Sequence, residues 1–99
     1  MLKHLVSWRL SEADDATQAE RARQVIAGLS SLVGVVPSIR ALAVGRDVVH
    51  GDTNWDLGVV IDFDDEAGLE AYQVHPERQK VAAYIRSVVA ERVTVDFVV

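Results

Sequence analysis

Leu2-Lys3-His4-Leu5-Val6-Ser7-Trp8-Arg9-Leu10 alternates in character: Leu2, His4, Val6, Trp8 and Leu10 share one parity, and Lys3, Leu5, Ser7 and Arg9 the other. A period of two sends successive side chains to opposite faces of a sheet, so the stretch reads as a strand over roughly 2–10. Lys3 and Arg9 interrupt the apolar run. It therefore fails as the centre of a signal peptide, and no other stretch approaches the length of a membrane span.

Outward from this strand, Thr17-Gln18-Ala19-Glu20 has the spacing of a capping box. Ala22, Val25, Ile26, Leu29, Leu32 and Val33 then recur at helical intervals until Gly34 supplies a stop. Val36-Pro37-Ser38 breaks the pattern, and Ile39 to Val44, closed by Gly45, reads as a second strand. Arg46 to Asn54 reads as a loop. From Trp55 to Phe63, Leu57, Val59, Ile61 and Phe63 alternate with Asp56, Gly58, Val60 and Asp62, giving a third strand in a long hairpin with the second. Asp64-Asp65-Glu66 suits a helix N-terminus, and a short helix carries Ala67, Ala71 and Tyr72 before His75-Pro76 interrupts it. Pro76 opens another helix with Val81, Ile85, Val88 and Val89 on one side. The final segment alternates Val93, Val95, Phe97 and Val99 against Arg92, Thr94, Asp96 and Val98.

The order β-α-β-β-α-α-β predicts an α+β fold: a ferredoxin-like split βαβ with a four-stranded antiparallel sheet and its helices on one face. The other face carries Leu5, Val60, Val93, Val95 and Phe97, too much contiguous apolar surface to leave in water. A second copy packed face to face covers it, which predicts a homodimer built as an α/β barrel. At 99 residues the chain is expected to form one domain, 1–99, near the size at which a single core is self-sufficient.

Composition narrows the classes of function. With 49% hydrophobic and 25% charged residues the chain is globular rather than disordered. A net charge of −5, with Lys and Arg scattered singly, gives no basic stripe for a phosphate backbone, so nucleic acid is not an expected partner, and neither is a membrane. Cysteine is absent, which removes disulfides, thiolate chemistry and Cys-based zinc sites and suits the cytoplasm. His4, His50 and His75 lack ligand spacing, so no metal or other cofactor is indicated.

Candidate site residues follow from the same alternation. First and last strands of such a sheet lie antiparallel side by side, and both His4 and Asp96 point toward the helices, so they can touch. A carboxylate on one imidazole nitrogen fixes the tautomer that a general base requires. The same pair would equally well satisfy two polar groups at a strand end. Tyr72 faces inward from its helix, either lining a pocket or standing in the core. His75, held extended before Pro76, either caps or bridges the helix junction or touches a ligand. Val6, Trp8, Val25, Ile26, Leu29, Leu42, Val59, Phe63 and Val81 form apolar core, and any of them would wall a ligand cavity. Arg40 and Arg92 fall on the helix-facing side of their strands. With Arg78 they would suit an acidic ligand, or else snorkel to water from the rim.

Several positions, in order and spacing, are similar to the stress-responsive A/B barrel family. They are His4-Leu5-Val6, Val36-Pro37-Ser38-Ile39, Gly45-Arg46-Asp47, Tyr72-Gln73-Val74-His75-Pro76 and Val95-Asp96-Phe97, spread over essentially the whole chain. The resemblance, which extends to plant polyketide cyclases of the olivetolic acid type, implies a pocket between helices and sheet in which a histidine acts as base and a tyrosine orients the substrate. Tyr72 matches that tyrosine. The base is the second histidine of a His-Pro-x-His motif, and this chain reads His75-Pro76-Glu77-Arg78, so Arg78 stands at the base position. A guanidinium stays protonated and cannot accept a proton near neutral pH, but its forked donors bind carboxylate or enolate oxygens well. Two functions are therefore expected to compete. One is a binding dimer for a small hydrophobic or aromatic acid. The other is a cofactor-free cyclase or isomerase acting on a polyketide-like or aromatic substrate, with His4, Tyr72 and Asp96 as catalytic groups.

Overall fold

Residues 1–99 are all described by the computed structural model. Seven elements follow in order: β1 (Leu2–Leu10), α1 (Asp15–Ser30), β2 (Ala41–Arg46), β3 (Leu57–Phe63), α2 (Glu66–Val74), α3 (Pro76–Val88) and β4 (Val89–Val98). The strands lie in the order β2-β3-β1-β4, each neighbouring pair antiparallel. Leu5 stands opposite Val60 on one side and Val95 on the other, and His4 opposite Ile61 and Asp96. This is the ferredoxin-like arrangement, with all three helices on one side of the sheet.

Element boundaries differ from the sequence reading for local physical reasons. Asp14, not Thr17, caps α1: its carboxylate accepts a hydrogen bond from the Thr17 amide at 2.7 Å, so the helix starts at Asp15. The helix ends at Ser30, short of the expected Val33. Leu32 and Val36 stay buried in the turns that follow, while Val33 is exposed and Gly34 takes φ 84°. β2 begins at Ala41 rather than Ile39. Ile39 is packed into the core just before it, and the Arg40 amide donates to the Asp62 carbonyl at 2.9 Å. β3 begins at Leu57 rather than Trp55, because Asp56 turns its carboxylate to the Leu10 amide at 2.8 Å and closes the end of β1. Val89, expected on the helix, is the first residue of β4, so α3 passes into β4 with no residue between them.

The core lies between sheet and helices. Val6 and Trp8 of β1 and Val59, Ile61 and Phe63 of β3 meet Val25 and Leu29 of α1, Tyr72 of α2 and Ile85 of α3. Gly28 admits Val81 to close range. A Cβ at that position would sit 3.2 Å from Val81 Cγ1, which explains how α1 and α3 approach each other over the sheet. On the opposite, outer face, Val93, Val95 and Phe97 remain 47%, 50% and 44% exposed, beside half-buried Leu5 and Val60. A Lys3–Asp62 ion pair at 2.8 Å shares that face. No helix is long and apolar enough to cross a membrane.

Candidate active site

Alternation along β1 fixes the floor of a cavity of about 320 Å³ between the sheet and α3. His4, Val6 and Trp8 reach into it from β1 and Val59 from β3. Leu29 closes it from α1, Tyr72 and Gln73 from α2, and Val89 and Arg92 from β4. α3 forms the roof with Arg78, Val81, Ala82, Ile85 and Arg86. The walls are mainly apolar, and no carboxylate lines them.

His4 is the one polar residue of the core, 2% exposed. Its Nδ1 lies 2.5 Å from Asp96 Oδ1, a pairing that follows from the facing register of the two residues. The bond fixes the ring and leaves Nε2 as the nitrogen without a protein partner. Tyr72, 3% exposed, sets its ring edge-on to His4 with centroids 6.2 Å apart and packs on Phe63 at 5.4 Å. The side-chain atoms that are both fully occluded and unpartnered are Ser38 Oγ and Thr94 Oγ1. The Tyr72 hydroxyl and His4 Nε2 are not among them and open onto the cavity they line. Arg78 spreads its guanidinium 5.3 Å above the Tyr72 ring and donates to the Gln73 carbonyl at 3.4 Å. None of Arg78, Arg86 and Arg92 forms an ion pair, whereas Arg23 and Arg40 elsewhere are paired with carboxylates.

Of the residues singled out from sequence, His4, Val6, Trp8, Leu29, Val59, Tyr72, Arg78, Val81 and Arg92 meet at this cavity. Others do not. Asp96 stands behind His4, its side chain 38% exposed on a second concavity lined by Glu66, Glu70 and Gln73. Val25 and Phe63 are closed core, and Ile26 and Leu42 pack against that core, all outside the cavity lining. Arg40 has the helix-facing parity of β2, but it lies at the strand's outer end and grips Asp64 at 2.8 Å, away from the cavity. That pairing holds the Asp64 carboxyl below its ordinary range. His75 lies outside the cavity lining and caps α3, the first of its two expected roles: its Nδ1 accepts from the Glu77 amide at 3.1 Å. Gln73, Ala82, Ile85, Arg86 and Val89 were missed. Arg86 was legible, since it lies one and two turns along α3 from Ala82 and Arg78. No group of three or more His, Asp or Glu side chains is placed to hold a metal ion.

Comparison with known proteins places the chain. None of the curated proteins matches the sequence. Among solved structures, a dimeric ferredoxin-like protein of unknown function from Thermobifida fusca YX is 33% identical, with 99% of this chain and 90% of that one covered at a TM-score of 0.87. A dimeric protein of unknown function and ferredoxin-like fold from Bacteroides fragilis NCTC 9343 superimposes at 0.90 with 21% identity, covering 97% and 93% of the two chains. The hydroxynitrile lyase of Passiflora edulis shares the fold at 0.81 with 16% identity, over 99% and 92%. Residues 2–99 match the model of the stress responsive A/B barrel domain, and the chain belongs to that family.

Proposed function

We propose that the protein is a homodimer that binds a small acid with an apolar or aromatic body in the cavity between α3 and the sheet. One observation carries this reading. In a chain of net charge −5, the cavity has apolar walls, no carboxylate, and three arginines without ion-pair partners, Arg78, Arg86 and Arg92. Guanidinium forks beside an apolar pocket recognise a carboxylate by bidentate hydrogen bonds and leave the rest of the ligand to hydrophobic burial. The dimer reading rests on the apolar outer face of Leu5, Val60, Val93, Val95 and Phe97 and on the dimeric description of similar proteins. The absence of cysteine suits a cytoplasmic setting.

Thermal shift with a panel of aromatic carboxylates and their methyl esters tests the binding reading, because a ligand bound to the folded state alone raises Tm by mass action. Acids raise Tm, esters do not, and Arg78→Ala with Arg92→Ala weakens the response without unfolding the protein. Equal response to acids and esters would refute it.

A second reading, a cofactor-free cyclase or isomerase, is favoured by a separate observation: the Asp96-anchored His4 keeps Nε2 free in the cavity that Tyr72 also lines, with the two ring centroids 6.2 Å apart. In that reading Nε2 takes a proton from carbon next to a carbonyl, and Tyr72 donates to the oxygen where the enolate charge develops. Deuterium exchange into the methyl group of 4-acetylbenzoate, followed by proton NMR, tests it. Exchange that persists unchanged in His4→Gln would remove His4 as the base.

A further inference from the structure

The cavity is chemically different at its two ends. His4 and Trp8 lie on the same face of β1 four residues apart, about 13 Å at a strand's rise per residue. Arg78 and Arg86 lie eight residues apart on α3, about 12 Å along a helix. The two elements run in the same direction over the cavity. Arg78 covers Tyr72, which packs on His4, while the far end of α3 delivers the Val88 carbonyl to the Ser11 amide just past β1. Arg86 therefore belongs to the Trp8 end, where Arg92 faces Trp8 across the sheet.

At the closed end, Arg78 is engaged over the Tyr72 ring and with the Gln73 carbonyl, which leaves two other polar groups, His4 Nε2 and the Tyr72 hydroxyl, on side chains that are 2% and 3% exposed. Neither has a protein partner, and both open onto the cavity. A ligand that shuts water away from them must offer a polar group in return or bear the cost of their desolvation. At the open end, Arg86 and Arg92 are exposed and free of carboxylates. We infer that the ligand carries oxygen functions at both ends of its long axis: a carboxylate held by Arg86 and Arg92 at the mouth, and a hydroxyl or carbonyl received by His4 and Tyr72 at the closed end. The proposal rests on the acid-binding reading and adds orientation and a second function to it. An alkyl or aryl acid with nothing polar at its far end is a poor fit, because it buries His4 Nε2 and the Tyr72 hydroxyl against hydrocarbon.

Three probes separate the terms: 3-(4-hydroxyphenyl)propanoate, 3-phenylpropanoate, and the methyl ester of the first, each titrated calorimetrically into the whole protein. The hydroxylated acid is expected to bind at least about fivefold more tightly than the unhydroxylated acid, the scale of one well-made buried hydrogen bond. It should exceed its ester by at least about tenfold, the scale of a charge-assisted contact. Tyr72→Phe should remove most of the preference for the hydroxyl, weakening the hydroxylated acid and strengthening 3-phenylpropanoate, which no longer buries that hydroxyl. Arg86→Gln combined with Arg92→Gln should bring acid and ester together while the preference for the hydroxyl survives. Equal binding of the two acids, or an undiminished preference for the hydroxyl in Tyr72→Phe, would overturn the two-ended ligand and leave acid binding intact. Equal binding of acid and ester, or no binding by any probe, would overturn acid binding itself.

Discussion

At the scale of single residues, Thr94 is the odd member of its strand. It stands between Arg92 and Asp96 on the helix-facing side of β4, opposite Val6, with its hydroxyl occluded and unpartnered. Val is close to its shape and carries no hydroxyl to desolvate. Thr94→Val is therefore expected to raise stability by about 1 kcal/mol, read as an increase in urea midpoint at constant m-value. A fall in midpoint would mean that the hydroxyl has a partner in solution. Much at this scale was legible in sequence. The parity of His4 and Asp96 aims both at the helices, and the antiparallel pairing of first and last strands sets them opposite each other. Arg40 shows the limit of parity. It has the right face but stands at the end of its strand, where Asp64 competes for the guanidinium, and alternation says nothing about such a rim partner.

At the scale of elements, α1 is held at its start and along its exposed side by carboxylates that the folded state keeps ionised. The Thr17 amide hydrogen-bonded to Asp14 lowers that carboxyl. Hydrogen bonds from Arg23 and then Gln24 lower Glu20 from 4.5 to about 2. A depressed folded-state value means stability present above the unfolded value and lost as pH falls through the folded one. Tm should accordingly decline from about 4.5 down toward about 2 on account of Glu20. Glu20→Gln should flatten part of that decline, and high salt should weaken the effect because the pair is exposed. The contact of α1 with α3 depends on Gly28. A branched side chain there would meet Val81, itself stiff, and Gly28→Val is expected to cost about 1–3 kcal/mol by overpacking. Since Leu29 and Val81 both wall the cavity, the same change should also lower affinity for an aromatic acid, measured by titration. Element types were readable from periodicity, but their ends were set by hydrogen bonds that periodicity cannot see. Asp14 overtook Thr17 as cap, and Asp56 delayed the start of the third strand by serving the first.

At the scale of the whole molecule, one sheet serves two environments. Its inner face closes the core and floors the cavity, and its outer face leaves Val93, Val95 and Phe97 near half exposure. Phe97→Asp is expected to abolish self-association, since a carboxylate would be buried without a partner in a mutual interface. Sedimentation at micromolar concentration checks this, and an unchanged dimer would place the interface elsewhere. Both environments depend on how β4 is counted. α3 runs straight into β4, and the register with β1 slips once, at Arg9/Leu10, where Leu10 pairs with Val89 and Arg9 with Glu91, leaving Ala90 over. That single surplus residue is the only slack between helix and strand. A gain or loss of one residue beyond it would turn the strand over, carrying Arg92 and Asp96 to the outside and Phe97 beneath the helices. Descendants of this chain can therefore vary in length in the long connection between β2 and β3, but the passage from α3 to Arg92 has its reading frame set by geometry as strictly as a codon sets it in a gene.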